Sequence, residues 1–515
     1  MSGPAPRAIS PAGWILGVCT ALALALRLIS IDSRGLWDDE AWRVWAARLP
    51  TFGDVLRVAW AQPPSAPLYW LGLHAWVGLF GHGDVAVRLF SVLPAVAAVP
   101  AVYWLGVRVA GRGAGVLAAG LLAVSPLAVE VGQEATMYAW SLLLATLALA
   151  AGLAWLQTGR GAWRYAACAV LLLYTHYMGA LLLAGWAAAG WLWTQGPARL
   201  GSPPRVRPGA WLRLHVLIGL AWLPWLVPMG WRIAQRWDEL SHLHHQAGWD
   251  DLAGSAVTLA VAASAAATWP GWRLIGAALV GATLAGLGLW AGRTAPGRPV
   301  WLLAGLACGF VGTIVGLSAA TGAWLVQPRF LTLVLPPVLI VVAAGAAWIW
   351  AARPAWKMVA LGLLTLWLIA QAAGVGAFYT QPVHGRNGLR EIGAWLRAGV
   401  QPGDLVVSNA PILLWSVAQY YDGPLRGLPA SWDVRDGYPL WPPPDQPDPA
   451  PAQWAALQVA AGGARGIWLI YLPPEDPAGF LLRQMRAYYH EEAVQTYPLA
   501  TVYQFARRDA APASR

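Results

Sequence analysis

Three consecutive carboxylates, Asp38, Asp39 and Glu40, stand among tryptophan and leucine side chains in the stretch GLWDDEAWRVW, just after the first long apolar run. Adjacent acids repel one another, and aromatic neighbours desolvate a carboxylate, so at least one pKa in this group should rise. A carboxylate made more basic in this way can accept a proton from a hydroxyl group. The alternative is structural, because acids stabilise the first turn of a helix.

Glu134 and Tyr138 lie in a second polar stretch, VGQEATMYAW, which joins two later apolar runs. An ionisable residue next to a bilayer is costly to desolvate, so it is a functional hypothesis by default. Capping of the following helix is the alternative for Glu134.

His176 lies between Tyr174 and Tyr177 in YTHYMG, and Arg329 opens an apolar run in VQPRFLTLVLPP. A guanidinium group at the end of a span can bind a phosphate through two parallel hydrogen bonds. Snorkelling toward lipid headgroups is the alternative for Arg329. A lone histidine is more often structural, and flanking tyrosines are also typical of an aromatic belt.

A histidine-rich run, HLHH at positions 242–245, is the one local pattern that suggests a metal site. His242, His244 and His245 have no fixed ligand spacing of the kind that structural zinc sites use. A solvated loop is therefore the favoured interpretation, and the metal content of the protein stays open.

The composition indicates a protein that crosses the membrane many times. Of the 515 residues, 58% are hydrophobic and only 11% are charged, whereas a soluble domain carries about 25% charged residues. The net charge of +10 comes from arginines in short clusters between apolar runs. This placement is typical of cytoplasmic loops, so we expect no nucleic-acid partner.

Eleven apolar runs approach the length of about 20 residues that a membrane span needs. Two weaker runs, 66–81 and 252–269, are predicted to lie along the interface or to re-enter, and thirteen spans is the alternative. The eleven runs are 12–31, 86–108, 113–131, 135–156, 162–177, 179–195, 211–231, 272–292, 299–321, 330–352 and 356–379.

With a cytoplasmic N-terminus and eleven spans, every clear basic linker falls on the cytoplasmic side, as the positive-inside rule requires. The carboxylates at 38–40 and the C-terminal segment then lie outside. Residues 1–380 are predicted to form a transmembrane domain with an external loop at 32–85. Residues 381–515 contain alternating strand and helix signals and predict a small external α/β domain.

The chain resembles the GT-C polytopic membrane glycosyltransferases, in particular the bacterial branch related to protein O-mannosyltransferases and to aminoarabinose (lipid A) transferases. The pair Asp39–Glu40 after the first span and the turn QEA-x-MYA carry the most specific resemblance. The matching segments are LWDDEAW (36–42), QPPSAPLYWLGLHAWVGLFG (62–81), VAVRLFSVLPAV (85–96), VGQEATMYAW (131–140), YTHYMG (174–179) and QPRFLTLVLPP (327–337).

The resemblance implies a sugar donor carried on a polyprenyl phosphate, an external loop with interfacial helices, and a catalytic acidic residue, which Asp39 matches. It also implies a multi-pass protein of the cell (inner) membrane with a periplasmic C-terminal domain. The sequence departs from the family pattern at Gln62, where relatives often carry histidine before the Pro-Pro pair. A divalent cation is therefore not a firm expectation.

The resulting hypothesis is an inverting glycosyltransferase in which Asp39 is the base that accepts a proton from an acceptor hydroxyl, while Glu40 positions acceptor, sugar or a cation. Transfer by a single displacement inverts the anomeric carbon. The acceptor is a protein, a lipid or a glycan, and a transporter or flippase of a lipid-linked substrate is the alternative function. The candidates for donor or acceptor binding are Asp38, Glu134, Tyr138, His176, Tyr177 and Arg329.

Overall fold

The fold is a long helical bundle followed by a small mixed domain. The computed structural model describes residues 10–62, 64–195, 204–235, 271–294, 299–321, 325, 327–352, 354–380, 388–428, 450–473, 476 and 478–508. The predicted run 252–269 and the histidines at 242–245 lie outside the described residues.

Fifteen α-helices are described up to residue 380. They are α1 (Pro11–Leu28), α2 (Asp38–Ala47), α3 (Phe52–Ala61), α4 (Pro67–Phe80), α5 (Asp84–Ala110), α6 (Arg112–Ala123), α7 (Pro126–Gly132), α8 (Tyr138–Thr158), α9 (Ala162–Thr175), α10 (Gly179–Gln195), α11 (Pro208–Gln235), α12 (Gly271–Thr294), α13 (Val300–Thr321), α14 (Leu335–Ala351) and α15 (Pro354–Thr380).

Each of the eleven predicted spans coincides with one of these helices or with the bent pair α6 and α7. Among the described residues, six helices are long and apolar enough to cross a membrane: α1, α5, α8, α11, α13 and α15. The bent pair, with an angle of 58° between its halves, would be a seventh. A multi-pass membrane protein is therefore confirmed, and the span count of eleven is supported only roughly.

The weak run 66–81 forms α4, a helix of 14 residues. At a rise of about 1.5 Å per residue it is shorter than the apolar thickness of a bilayer, which is about 30 Å. The helix packs against α2, α3 and α5. Its length agrees with the expectation that this run lies along the interface.

Helices α5, α6 and α8 form the centre of the bundle, and α5 also packs against α1. The chain reverses between α5 and α6 at Gly111, whose φ is +93°. Beside this turn, a Cβ atom on Gly106 would lie 2.8 Å from the Cα atom of Gly115. Glycine at both positions therefore permits the close approach of the two helices.

The C-terminal domain contains a five-stranded sheet in the order β2-β1-β3-β5-β4. Strand β1 is parallel to β2 and β3, whereas β5 is antiparallel to β3 and β4. Its elements are α16 (Leu389–Gly399), β1 (Leu405–Ser408), α17 (Pro411–Ala418), β2 (Leu425–Gly427), α18 (Ala450–Ala460), β3 (Gly466–Tyr471), α19 (Phe480–Tyr488), β4 (Tyr489–Thr496) and β5 (Thr501–Arg507). The predicted α/β class is confirmed.

The C-terminal domain contacts the bundle through α17, which packs on α2. The ring of Trp415 lies 4.7 Å from Trp42 and 5.8 Å from Trp45, measured between centroids. The Tyr420 hydroxyl accepts a hydrogen bond from Leu36 N at 2.6 Å. The helix that begins with the three carboxylates is therefore held between the bundle and the C-terminal domain.

Candidate active site

Helix α2 begins at Asp38, so its first turn contains all three carboxylates. Glu40 accepts a hydrogen bond from Trp37 N at 3.2 Å, which closes the N-terminus of the helix. The structural alternative, in which acids stabilise the first turn of a helix, thus applies to Glu40. Successive residues of a helix are rotated by about 100°, and this rotation gives Asp39 and Glu40 different surroundings.

Glu40 is fully buried and its carboxylate is saturated with hydrogen bonds. Arg88 of α5 donates to it from Nε at 3.1 Å and from Nη2 at 2.9 Å. Ala135 N donates to Glu40 Oε1 at 2.7 Å. Glu40 therefore joins α2 to α5 and to the turn between α7 and α8.

The turn between α7 and α8 has a second anchor, Gln133. Its side-chain amide donates to the backbone oxygens of Leu26, Arg27 and Ile29 at 3.3, 3.1 and 2.8 Å. These carbonyls belong to the C-terminal end of α1, where a helix lacks internal donors. The QEA segment thus fixes α1 through Gln133 and α2 through the backbone of Ala135.

Asp39 forms ion pairs with two arginines. Arg329 Nη1 lies 2.9 Å from Asp39 Oδ2, and Arg43 Nη1 lies 3.6 Å from the same oxygen. Desolvation raises the pKa of Asp39, but the charges of Arg43 and Arg329 outweigh it, so the pKa lies below its usual range. Asp39 is therefore ionised at neutral pH.

Asp38 and Glu134 are the acids with raised pKa values near this pair. Burial raises the pKa of Asp38 to about 6, and the charge of Asp39 adds to the shift. Burial also raises the pKa of Glu134, with contributions from Glu130 and Glu40. Arg329 and Asp39 both act on Glu134 electrostatically, so acids far apart in sequence gather at one end of the bundle.

A cavity of about 330 Å³ lies beside Asp39. It is bounded by α2, the segment between α3 and α4, α4 itself, the start of α8, the turn after α9, and a 3₁₀ helix at Pro328–Leu333. Asp39 is the only carboxylate among the described residues that line it. The lining residues are Asp39, Trp42, Arg43, Gln62, Pro64, Ser65, Ala66, Tyr69, Trp70, Met137, Tyr138, Thr175, His176, Tyr177, Gln327, Arg329 and Phe330.

His176 lies in the turn after α9 and is only 1% exposed. Met178 N donates to its Nδ1 at 3.1 Å, so Nδ1 is an acceptor and the ring proton of the neutral form is on Nε2. Burial lowers the pKa of His176 to about 3, with further lowering by Arg329 and Arg43. His176 is therefore a neutral donor, and its buried Nε2 has no partner among the described residues.

Further cavity residues have buried donor atoms without a partner in the described part of the chain, namely Arg43 at Nε, Gln62 at Nε2 and Tyr69 at its hydroxyl. With Arg329 and His176, they make the cavity rich in hydrogen-bond donors. Buried donors are normally satisfied, so this lining is suited to a ligand that presents acceptor oxygens. Phosphate and sugar oxygens have this property.

The structure brings together five of the eight predicted site residues in the cavity: Asp39, Tyr138, His176, Tyr177 and Arg329. Asp38, Glu40 and Glu134 do not line it. Arg43 was missing from the predicted set, although its position four residues after Asp39 places both on one side of a helix.

The described residues do not fit a metal held by side chains of this chain. They contain no group of three or more histidine, cysteine, aspartate or glutamate residues that could hold an ion. The only carboxylate among the described cavity residues is paired with two arginines. A divalent cation, left open by the sequence, therefore has no ligand set in this part of the chain.

No family model matches the sequence, and no curated protein sequence matches it either. Solved structures do match. The crystal structure of ArnT from Cupriavidus metallidurans is 15% identical with a TM-score of 0.61, and the match covers 96% of this chain and 98% of ArnT. A second ArnT structure, bound to undecaprenyl phosphate, is 14% identical with a TM-score of 0.58 over 98% of this chain and 100% of ArnT.

A third similar structure is the oligosaccharyltransferase AglB from Archaeoglobus fulgidus, in complex with an inhibitory peptide and a dolichol-phosphate. It is 12% identical, with a TM-score of 0.54 over 97% of this chain and 75% of AglB. These likenesses confirm the fold that the GT-C resemblance implied. At such low identity they establish the fold alone.

Proposed function

We propose that the chain is a glycosyltransferase that moves a sugar from a polyprenyl-phosphate donor to an acceptor hydroxyl. One observation carries the proposal: in a cavity at one end of a membrane bundle, an ionised carboxylate, Asp39, contacts an arginine, Arg329. A base for a hydroxyl group and a cation for a phosphate are thus adjacent. The similar structures with undecaprenyl phosphate and dolichol-phosphate support this class of donor.

The acceptor oxygen attacks the anomeric carbon while the bond from that carbon to the phosphate oxygen breaks. The acceptor proton moves to Asp39, and the polyprenyl phosphate leaves with the bonding electrons. Its phosphate changes from one negative charge to two. Arg329 and Arg43 stabilise this developing charge, and a single displacement inverts the anomeric centre.

The other predicted residues act around this centre. His176 donates from Nε2 to an oxygen of the donor, and Tyr138 and Tyr177 form part of the aromatic wall. Glu40, Asp38 and Glu134 lie outside the cavity lining. We assign to Glu40 the positioning of α2, because its carboxylate is saturated by Arg88 and two backbone donors.

The proposed orientation places the cavity and the C-terminal domain on the external, periplasmic side of the inner membrane. Tyr138, at the start of α8, lines the cavity, whereas Arg160 and Arg164 follow the other end of that helix. Arginine-rich linkers favour the cytoplasm. Single cysteines introduced at Arg160 and Asp54 should react with an impermeant thiol reagent in intact cells only at position 54.

The function is tested with purified protein in lipid nanodiscs, a set of radiolabelled polyprenyl-phosphate sugars, and cell-envelope extract as acceptor. We expect at least one sugar to be transferred by the wild-type protein and about 10³-fold more slowly by Asp39→Asn, which keeps the shape and removes the base. Equal transfer by both proteins would contradict the role of Asp39. Lipid-linked sugar that crosses a vesicle membrane without being transferred would instead support the transporter alternative.

A further inference from the structure

The ion pair between Asp39 and Arg329 joins the two groups to which the proposed reaction gives separate tasks. Arg329 approaches Asp39 from a position 290 residues away, with Nη1 2.9 Å from Asp39 Oδ2. The side chains of Arg329 and Asp39 are 33% and 35% exposed, so the pair is open to the cavity. An anionic ligand can therefore reach the guanidinium group while it is still in contact with the carboxylate.

Arg329 has limited capacity for two anions at once. Its Nε is committed to Gln327 Oε1 at 2.7 Å, and its Nη1 is committed to Asp39. A phosphate bound by two parallel hydrogen bonds needs a pair of guanidinium nitrogens facing the same direction. Both faces of the guanidinium group that offer such a pair include a nitrogen, Nε or Nη1, that already has a partner. A phosphate at the Nη1–Nη2 face would share Nη1 with Asp39, whose negative charge repels it.

Arg43 holds Asp39 in a different way. It lies on the same helix, one turn later, and its Nη1 donates to the backbone oxygen of Asp39 at 2.5 Å. Its side chain is only 10% exposed. Arg43 can therefore remain beside Asp39 when Arg329 moves, and it keeps one positive charge next to the carboxylate.

We propose that Arg329 is exchanged between Asp39 and the donor phosphate, so that donor binding releases the carboxylate for the acceptor hydroxyl, and that Arg43 is the positioning residue that keeps Asp39 in place. This inference rests on the proposed function. Loss of a neighbouring positive charge makes a carboxylate more basic. The base thus becomes effective only when the sugar it serves has arrived.

The exchange also affects product release. After transfer the polyprenyl phosphate carries an additional negative charge and holds Arg329 more firmly, while Asp39 is neutral because it has taken the proton. When Asp39 loses that proton, it again competes for Arg329. Deprotonation of the base therefore favours dissociation of the lipid product.

The proposal predicts that removing the negative charge of Asp39 strengthens the binding of undecaprenyl phosphate. Undecaprenyl phosphate is titrated into the purified full-length protein in nanodiscs, and Kd is measured for the wild type, Asp39→Asn, Arg329→Gln and the double variant. We expect Asp39→Asn to bind about fivefold more tightly, which is the affinity equivalent of releasing a partly exposed ion pair. In the Arg329→Gln background the same change should have no effect on Kd.

Asp54→Asn is the matched control, because Asp54 belongs to the same loop region but pairs with the exposed Arg57. It should leave Kd unchanged. Asp39→Ala provides a second variant if Asp39→Asn does not fold. If Asp39→Asn still tightens binding in the Arg329→Gln background, the effect is a general electrostatic one, and the proposed exchange is wrong. An unchanged Kd in Asp39→Asn alone would also overturn the exchange. Failure of the folded wild-type protein to bind the lipid would instead overturn the proposed function itself.

Discussion

Asp39 and Glu40 are neighbours in sequence, carry the same functional group, and have opposite surroundings. Glu40 is completely buried, with Arg88 and two backbone N–H groups around its carboxylate. Asp39 lines the cavity and is about one-third exposed. One carboxylate fixes the helix and the other is available to a ligand. The helix face, and not the motif, therefore decides which acid lines the cavity.

The arginines that accompany these acids differ in the same way. Arg88 makes additional hydrogen bonds to the backbone oxygens of Ile31, Arg34 and Gly35, at 2.8, 2.8 and 2.9 Å. It therefore fixes the whole segment before α2. Arg329 makes two side-chain hydrogen bonds among the described residues and lies 5.7 Å from the ring centroids of Trp37 and Tyr138. Arg88, whose donors are engaged in hydrogen bonds, is suited to stabilising the fold, whereas the more accessible Arg329 is suited to binding a ligand.

The largest effect that separates the two acids is expected in turnover. Asp39→Asn should lower kcat by about 10³-fold, within the range attributed to general acid–base catalysis, and leave the thermal unfolding midpoint unchanged. Turnover is measured with the labelled donor, and unfolding is followed by tryptophan fluorescence. A lower midpoint with normal turnover would reverse the assignment of the two carboxylates.

The next effect is in stability and concerns Glu40. Replacing Glu40 by Leu leaves Arg88 buried without its anion, and breaking a buried pair in this way costs about 3–5 kcal/mol. We expect a lower unfolding midpoint together with a loss of turnover that follows the folded fraction. The double variant Glu40→Leu/Arg88→Met should recover part of the stability, because it removes both charges. If the double variant is less stable than Glu40→Leu alone, the pair is not what holds this segment.

The sequence predicted more of the residues that line the cavity than of the difference between Asp39 and Glu40. Asp39, Tyr138, His176, Tyr177 and Arg329 were predicted from charge and aromatic residues at the ends of spans, and all five line the cavity. Glu40 was grouped with Asp39 because adjacency in sequence says nothing about helix phase. The rotation of α2 that buries Glu40 is fixed by the contacts of Glu40 with Arg88 and Ala135, which lie 48 and 95 residues from it along the chain.

In the C-terminal domain, too, the sequence indicates a buried strand more clearly than a strand at the edge of the sheet. The continuous apolar run GIWLIY at Gly466–Tyr471, one of the strand signals of this domain, forms β3, and five of its six residues are buried. Strands β4 and β5 were not predicted individually. In β4, Tyr489–Thr496, partly exposed residues alternate with exposed ones at the sheet edge. Such a strand has no continuous apolar signal, because its pairing with β5 does not bury it.

A smaller effect concerns pH and separates His176 from the carboxylates. Its pKa is about 3 in the folded protein because of burial, against about 6.5 in an unfolded chain. Below pH 6.5, His176 is therefore protonated in the unfolded state but stays neutral in the folded state. The free energy of unfolding falls as the pH falls. Between pH 6.5 and 5 the loss should be about 2 kcal/mol.

This loss is measured as the change in unfolding free energy with pH for the wild type and for His176→Gln. The variant should lack this component of the slope but keep the components from other titrating groups. Equal slopes in the two proteins would mean that His176 is protonated in the fold, and it could not then be the neutral donor described for the cavity.

The smallest effect tests whether the C-terminal domain helps to position α2. The Tyr420 hydroxyl accepts from Leu36 N at 2.6 Å and donates to Asp84 Oδ2 at 2.8 Å, so it connects the segment before α2 to the start of α5. Tyr420→Phe removes both hydrogen bonds and should cost about 1 kcal/mol of stability. Tyr421→Phe is the matched control, because Tyr421 packs in the core of the C-terminal domain.

If Tyr420 acts only on stability, kcat of the folded Tyr420→Phe protein stays at the wild-type value. If the hydroxyl also positions α2, kcat should fall severalfold while Kd for undecaprenyl phosphate changes little, because Arg329 is on a separate element. Asp84 keeps its contact with Arg390 in the variant, so the two domains remain attached and the loss is confined to the segment before α2. A fall in kcat without a change in Kd would therefore extend the comparison of Asp39 with Glu40 to the domain interface. There, the partly buried contacts of Tyr420 would help to position the partly exposed carboxylate of Asp39.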